Sequence, residues 1–534
     1  MKREDLPNDI EKLKDLLLAK EDIILDKTRE IAILQDQVAF LKNFAMARKT
    51  EKKRALQDKP GQLWLFNEAE VHADEPEPEQ EEPVTVAAHQ RKHATRKPLP
   101  ECLERKVTVL DIPEEEKICG CGSKLKEIRR EVSEKLHFVP AQLYVERIER
   151  PIYACPACEG TETPGKTVKM MPMPAQLIPH GIATPSLVSG IIMDKFADSL
   201  PLYRQSKIWE RVGIDISRAN MSRWILEAAE RCQPLYDLLL SSAVASPIIN
   251  MDETPVQVLQ EPDRRDEQTS YMWVMCTRHP APVRLFHYNP SRGHKVAENL
   301  LEGFQGYLQT DGLVGYKLVG RKEGIIHVSC LAHIRRKFAD VIKASGKNQK
   351  RGVADTVIDL ISKVYQKEKM LRASHPALNR ETFLRERRET LTPIFSKIHD
   401  LIKKYLPQTP PKTNLGKALT YAHSQWADML RYLEHEDMTP DNNIAENAIR
   451  PFVIGRKNWL FAGSPRGAKA SALFYTLIET AKANDLNPQR YLDYVFEHII
   501  EYDDSPALLE RLLPWNWVVS RGFRKFSSSS VMIC

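Results

Sequence analysis

The chain has 534 residues, of which 42% are hydrophobic and 28% charged, with nine cysteines and a formal net charge of +6. At roughly 100–200 residues per domain this allows three or four units, and the composition excludes a disordered chain, a collagen-like repeat and a disulfide-dense secreted module. A spanning helix is not expected either, because the longest charge-free window, Met170–Met193, is broken by Pro172, Pro174, Pro179 and Pro185. The first residues, MKREDLPNDIEK, contain no apolar signal region, so a cytoplasmic setting is expected, with cysteines acting as thiols or metal ligands. Eight acids and no Lys or Arg lie between Glu68 and Glu82; with them set aside the net charge becomes +14. An acidic stretch thus masks a basic protein, which points to a polyanion partner.

Residues 1–50 carry a heptad with Ile10, Leu17, Ile24, Ile31 and Val38 at a, and Leu13, Lys20, Lys27, Leu34 and Leu41 at d. β-Branched a positions favour two strands, so a homodimerising coiled coil is expected, the alternative being a helix packed on its own protein. Residues 51–100 read as a linker, acidic and then basic. Its end, RKHATRKPLP, holds Arg96 and Lys97 on a backbone kept extended by Pro98 and Pro100. Such an arm suits a DNA minor groove, although a solvated linker has the same composition.

Residues 101–165 contain Cys119 and Cys121, then Cys155 and Cys158, 34 positions further on. Two thiolate pairs can meet at one tetrahedral Zn2+, and Gly120 and Gly122 suit the turn of a metal knuckle. Cys102, Cys232, Cys276, Cys330 and Cys534 are unpaired in sequence. Residues 180–243 are helical by period: one helix over Leu202–Val212, a break at Gly213, and a second helix from Ser217. Arg218, Asn220 and Arg223 front that second helix. This is a helix-turn-helix pattern able to read DNA, and equally the pattern of a plain helical hairpin.

From residue 244 to 340 the periodicity changes to strands. VASPIINMDETPVQVL, YMWVMCT (271–277) and PVRLFHY (282–288) predict a meander, a helix follows over 293–303, and GYLQTDG and GIIHVSC give two further strands. That order outlines a ribonuclease-H-like α/β sheet, with Asp252 in the first strand and Asp311 closing the fourth. Neighbouring strands would bring the two carboxylates together. TPDNNIAENAIRPF (439–452) supplies Asp441 near a helix start and Glu446 about a turn later. Three hard oxygen donors of this kind suit Mg2+ or Mn2+ and phosphate chemistry. Downstream, Arg450, Arg456 and Lys457 are candidate phosphate contacts. Trp459 and Phe461 read as core, or as stacking surfaces for a base, and GSPRGAKA as a turn before a helix over 471–484. His333, beside Arg335, Arg336 and Lys337, is a further candidate phosphate contact.

Several of these segments are long enough to carry a family resemblance. GQLWLFNEAE, RKPLP, VSEKLHFVPAQLYV, PLYRQSKIWERVGIDISRANMSRW, MDETPVQV, TDGLVGY, CLAHIRRKF, DNNIAENAIRPFVIGRKNWLFAGSPRGA and LLPWNW run through nearly the whole chain. Together they resemble the transposases of insertion-sequence family sixty-six, of the TnpC type, in the DDE class. The resemblance implies Asp252, Asp311 and Glu446 as catalytic carboxylates holding two divalent ions. It also implies metal-dependent cleavage and strand transfer at the ends of an insertion sequence, on double-stranded DNA, with possible accessory proteins of the same element. The 134 residues between Asp311 and Glu446 are too many for a compact core. The helical periods of Val353, Val357, Leu360 and Val364, of Ile394, Ile398 and Leu401, and of Tyr421, Trp426 and Met429 predict a large all-α insertion over 341–438. The core would resume over 439–485, and residues 486–534 would form a helical segment and a tail that departs from the family's ending. A bacterial, nucleoid-associated protein follows. A zinc-containing DNA-binding regulator without activity, or a recombinase with a Ser or Tyr nucleophile, would share the binding features without needing the acids.

Overall fold

The computed structural model describes residues 144–150, 152–154, 168–170, 172–179, 181–345, 351–374, 379–502 and 505–520. The coiled-coil segment, the linker with Arg96 and Lys97, and Cys119, Cys121, Cys155 and Cys158 lie outside the described residues, as does the tail beyond residue 520. The chain divides into two units. In the smaller, β1 (Ile152–Ala154) and β2 (Val168–Met170) pair antiparallel, Ile152 opposite Met170 and Ala154 opposite Val168.

The larger unit begins with α1 (Pro185–Phe196), where the Thr184 hydroxyl accepts the Leu187 N–H and proline takes the first helical position. α2 (Leu202–Arg211) stops at Gly213, whose φ of +80° costs little without a Cβ. There the Gly213 N–H donates to Glu210 O at 3.1 Å and the Ile214 N–H to Trp209 O at 3.0 Å, closing the last turn. α3 (Arg218–Arg231) starts from a Ser217 cap, buries Met221, Trp224, Ile225 and Ala228, and leaves Arg218 and Arg223 exposed. α4 (Gln233–Val244) then delivers the chain to the sheet.

The sheet contains β3 (Ile248–Val258), β4 (Thr269–Cys276), β5 (Arg284–Asn289), β6 (Gly306–Thr310) and β7 (Ile325–Ser329), ordered β5-β4-β3-β6-β7. The first three are antiparallel, and β3, β6 and β7 run parallel. β3 is central and buried on both faces as far as Thr254, which accounts for its unbroken apolar start. α5 (His294–Leu300) connects β5 to β6, and α6 (Val314–Val319), too short to show a period in the sequence, connects β6 to β7.

After β7 the described chain is helical up to the residues that hold Glu446: α7 (Leu331–Ser345), α8 (Val353–Ser374), α9 (Arg380–Tyr405), α10 (Asn414–Leu430) and a 3-10 turn (Arg431–Glu434). These helices share an apolar cluster of their own, with Phe338, Val357, Ile361, Leu391, Phe395 and Met429 among its buried members. α11 (Asn443–Trp459) returns to the sheet, followed by β8 (Phe461–Ala462), α12 (Pro465–Ala483), α13 (Pro488–Tyr502), α14 (Pro506–Leu509) and α15 (Pro514–Ser520). α12 lies along the edge strand β5. Its Thr476 hydroxyl accepts the Phe286 N–H at 2.8 Å and its Thr480 hydroxyl the Arg284 N–H at 3.0 Å, so donors that would face outward are satisfied.

Two sequence expectations change here. The helix expected from residue 471 begins at Pro465, because the Ser464 hydroxyl accepts the Gly467 N–H and caps it; most of GSPRGAKA is helix. Phe461 is not core: it pairs in β8 with Gln257 and remains 43% exposed, whereas Trp459 packs edge-on against Phe452.

Candidate active site

β3 is eleven residues long, but its β6 side is only partly covered. β6 pairs with it from Ile248 to Asn250, and β8 pairs with it at Gln257 and Val258. Among the described residues, 251–256 between them have β4 on one side and no strand on the other. Asp252 lies in this gap, and Asp311 follows the last residue of β6 directly. A crevice at the carboxyl end of a strand, where the chain direction in the sheet changes, is where open α/β sheets place ligands.

α11 enters the same gap. Asn442, buried just before it, accepts a hydrogen bond from Asn250 Nδ2 at 2.8 Å and donates to Met251 O at 2.9 Å. One side chain therefore takes a carbonyl in the strand that β6 has left and ties the helix start to β3. Asn250 also donates to Gln309 on β6 at 3.0 Å, and Gln309 donates to Thr439 O at 2.7 Å. The Arg278 guanidinium reaches Asn250, Gln309 and Thr439, and its burial lowers its pKa to about 10. With its start fixed in this way, α11 puts Glu446, 4% exposed, in its first turn and within electrostatic reach of Asp252.

Asp252 is 8% exposed. Burial, and then the negative charges of Glu253, Glu446 and Asp311, push its carboxyl well above the usual range. Glu253, the next residue, points to the opposite face of the sheet by strand alternation. There it is paired: Arg292 meets it at 2.7 Å and the Tyr316 hydroxyl donates to it. Burial and Asp311 raise the Glu253 pKa, while Arg292 and Tyr316 oppose the shift. Asp311 is half-buried, and its Oδ1 accepts the Leu313 N–H at 3.0 Å, which closes a tight turn after β6. Gly312 is required in that turn, since a Cβ there would lie 2.4 Å from the Tyr421 hydroxyl of α10. The helical insertion thus borders the Asp311 turn.

A second group of side chains fixes the segment leading into α11. Arg387, fully buried on α9, pairs with Glu368 of α8 at 2.9 Å and donates to the carbonyls of Tyr432, His435 and Met438. Arg372 adds bonds to Glu436 O and Met438 O. Asn250, Gln309, Asn442, Glu253 and Arg387 were not singled out from sequence, and Tyr421 was read only as part of a helical period. An Asn inside the apolar run IINM and the paired asparagines of PDNN were the available signals.

The other sequence candidates are spread more widely. Arg456 is partly buried and donates to the Thr254 hydroxyl at 3.3 Å, so it lines the gap instead of projecting freely, and burial lowers its pKa to about 10. Arg450 lies one turn beyond Glu446 on α11, and Lys457 is exposed on the same helix. Arg218 covers the ring of Tyr203 on α2, which is itself exposed, Asn220 is half-buried, and Arg223 faces Glu227 at 3.9 Å. These three lie on α3, outside the gap. His333, on α7, has Nδ1 3.8 Å from Glu446 Oε1. Asp441 is half-buried with a pKa raised by burial, and its Oδ1 accepts the Asn443 N–H, which makes it part of the α11 start.

No helix among the described residues is long and apolar enough to cross a membrane. Comparison with known proteins adds four family matches. The family described as "Transposase IS66 family" matches residues 180–470, and "zinc-finger binding domain of transposase IS66" matches 116–159, a range that contains all four paired cysteines and supports zinc binding. "IS66 C-terminal element" matches 476–515 and "Transposase C of IS166 homeodomain" matches 33–108. Among similar proteins are three uncharacterized ones of Sinorhizobium fredii. The protein y4jD is 30% identical over 531 residues, 97% of this chain and 98% of its own length. The protein y4qI is 30% identical across 96% and 98%, and y4hP is 28% identical across 84% and 80%. With a family match across more than half its length and near-full-length relatives, the chain belongs to the IS66 family of transposases.

Proposed function

We propose that this transposase is a DDE-type enzyme that cuts and joins DNA at the ends of an insertion sequence, with Asp252, Asp311 and Glu446 as its catalytic carboxylates. The observation that carries this reading is the crowding of acids in the β3 gap: Asp252, 8% exposed, faces the charges of Glu446 and Asp311. Like charges buried together are costly without a counter-ion, and their hard oxygen donors suit Mg2+ or Mn2+. When bound, such ions supply Lewis-acid stabilisation to the attacking and leaving oxygens of an in-line phosphoryl displacement. The order β5-β4-β3-β6-β7, with the acids on β3, after β6 and on α11, supports a ribonuclease-H-like core carrying the helical insertion.

In this reading the chain's own residues mainly hold and orient. Asn442 and Asn250 fix Glu446 against β3, and the Leu313 N–H orients the Asp311 carboxylate. Arg456, and Arg450 and Lys457 on the same helix, would neutralise phosphates of the bound strand. Arg218, Asn220 and Arg223 of α3, with Arg96 and Lys97 of the basic arm, would contact the element ends. Cys119, Cys121, Cys155 and Cys158 would hold zinc. Water attack would free 3′ hydroxyls, which would then attack target phosphodiesters with no covalent protein–DNA intermediate. Pairing through the N-terminal heptads, help from proteins of the same element and action on the bacterial nucleoid in the cytoplasm complete the proposal.

The test is cleavage and strand transfer on element-end DNA by wild type and by Asp252→Asn, Asp311→Asn and Glu446→Gln proteins that retain end binding. Activity retained in any variant removes that residue from the triad. A wild type that binds ends and never cuts them would favour a DNA-binding regulator, and a trapped covalent adduct would favour a Ser or Tyr recombinase.

A further inference from the structure

Beside the acids, on the α7 side of Glu446, lies a donor set of different chemistry. Cys330 Sγ, a His333 ring nitrogen and a Glu446 carboxylate oxygen all lie within 4.8 Å of one another. The His333 Nδ1 to Glu446 Oε1 separation of 3.8 Å is near the spacing of about 3.3–3.8 Å between donors on one tetrahedral zinc. Cys330 ends the segment after β7, and His333 is one turn into α7, so a CxxH spacing turns sulfur and imidazole toward the first turn of α11. The sulfur also accepts two backbone hydrogen bonds. The Asn442 N–H donates to it at 3.2 Å, and the His333 backbone N–H is a second donor. Paired N–H···S bonds of this kind stabilise a thiolate and orient it for a metal.

Magnesium has little affinity for a thiolate, whereas zinc favours Cys, His and carboxylate together. We propose that Cys330, His333 and Glu446 form a second zinc site, distinct from the cysteine quartet, that competes with catalytic magnesium for Glu446. Binding releases the Cys330 thiol proton to solvent, and thiolate and carboxylate together neutralise the ion. A carboxylate committed to this site is withdrawn from Asp252 and Asp311, so zinc acts as an inhibitor. The competition rests on the reading of Glu446 as a catalytic carboxylate; the binding itself does not.

The experiment uses full-length protein equilibrated with buffered zinc, with bound metal counted for wild type, Cys330→Ser and His333→Asn. End-DNA cleavage in magnesium is measured for wild type and Cys330→Ser with and without the same zinc. Wild type is expected to bind about one zinc per chain more than Cys330→Ser, and His333→Asn to bind that ion about tenfold or more weakly. Zinc should slow wild-type cleavage about tenfold or more and leave Cys330→Ser nearly unaffected. Equal zinc content in wild type and both variants overturns the site. An extra zinc that leaves wild-type cleavage unchanged overturns the competition. A wild type that cuts no DNA in magnesium refutes the cleavage reading instead, and the zinc count then decides the site alone.

Discussion

The β3 gap and the helical insertion each bury a group of charged side chains, and the two groups are built on opposite terms. In the insertion, Arg387 is matched by Glu368 and by three backbone carbonyls, and Glu368 is matched again by Arg372 at 2.8 Å. In the gap, Asp252 lies among the charges of three other carboxylates, of which Glu253 is turned to the far face and held there by Arg292. A matched network stabilises its surroundings, whereas crowded like charges hold a site in a state that a cation would relieve. The matched group also serves the crowded one, since the carbonyls it grips belong to the segment that leads into α11.

Five measurements test that contrast. Asp252→Asn should lower end cleavage by about 10⁴-fold or more, roughly 5 kcal/mol of barrier, and leave the melting temperature in chelator level or higher. A melting temperature that falls by several degrees would make Asp252 structural. Arg387→Leu should do the reverse and destabilise the fold by about 3–5 kcal/mol, because the Tyr432 and His435 carbonyls lose this donor in the interior and Glu368 and the Met438 carbonyl are left with Arg372. Denaturant titration checks this, and adding Glu368→Gln should recover part of the loss. Asn442→Ala removes the tie between α11 and β3. It should cost about 1–3 kcal/mol and slow cleavage more than it weakens DNA binding, because Glu446 loses its fixed approach. Thr476→Val, at the protected edge of β5, should cost about 1–2 kcal/mol with cleavage per folded molecule unchanged.

The smallest effect concerns Lys195, whose burial pushes its ammonium down to about 8, next to the rings of Phe196 and Trp459. Between that value and the ordinary lysine value of about 10.4 the unfolded chain binds more protons than the folded one, so stability should rise with pH there. Lys195→Met should remove the rise in a series of denaturant titrations across that window. A rise that persists in the variant assigns it to another group.

Elements with a clear period were legible in the sequence. The apolar run and alternation around Asp252 mark β3, and the Ser217 cap with Gly213 marks the α2–α3 corner. β8, two residues long, has no period to read, and the start of α12 was hidden because Ser-Pro serves both a turn and a helix cap. Of the candidate site, the acids could be named one by one from element boundaries. Their supports could not: Asn250 looks like a blemish in a strand until the chain is folded and Gln309 and Asn442 lie beside it. Arg387 is similar, because its partners lie on α8 and on a segment with no regular structure, and local pattern carries no record of them.

The insertion's ends meet. The Leu331 N–H donates to Pro440 O at 2.8 Å, and Asn442 N–H reaches Cys330, so the chain leaves the sheet and comes back to it at neighbouring points. Everything between those points is an excursion whose length has no bearing on the distance from Asp311 to Glu446. Growth or trimming of that excursion at its far end is geometrically free provided the pinch, the Arg387 grip and the Tyr421 contact with the Asp311 turn survive. A relative with a much longer or shorter stretch between its acids can therefore keep the same spatial arrangement of them, and a graft of foreign sequence at the far end of these helices is the place to attach a probe without moving the carboxylates.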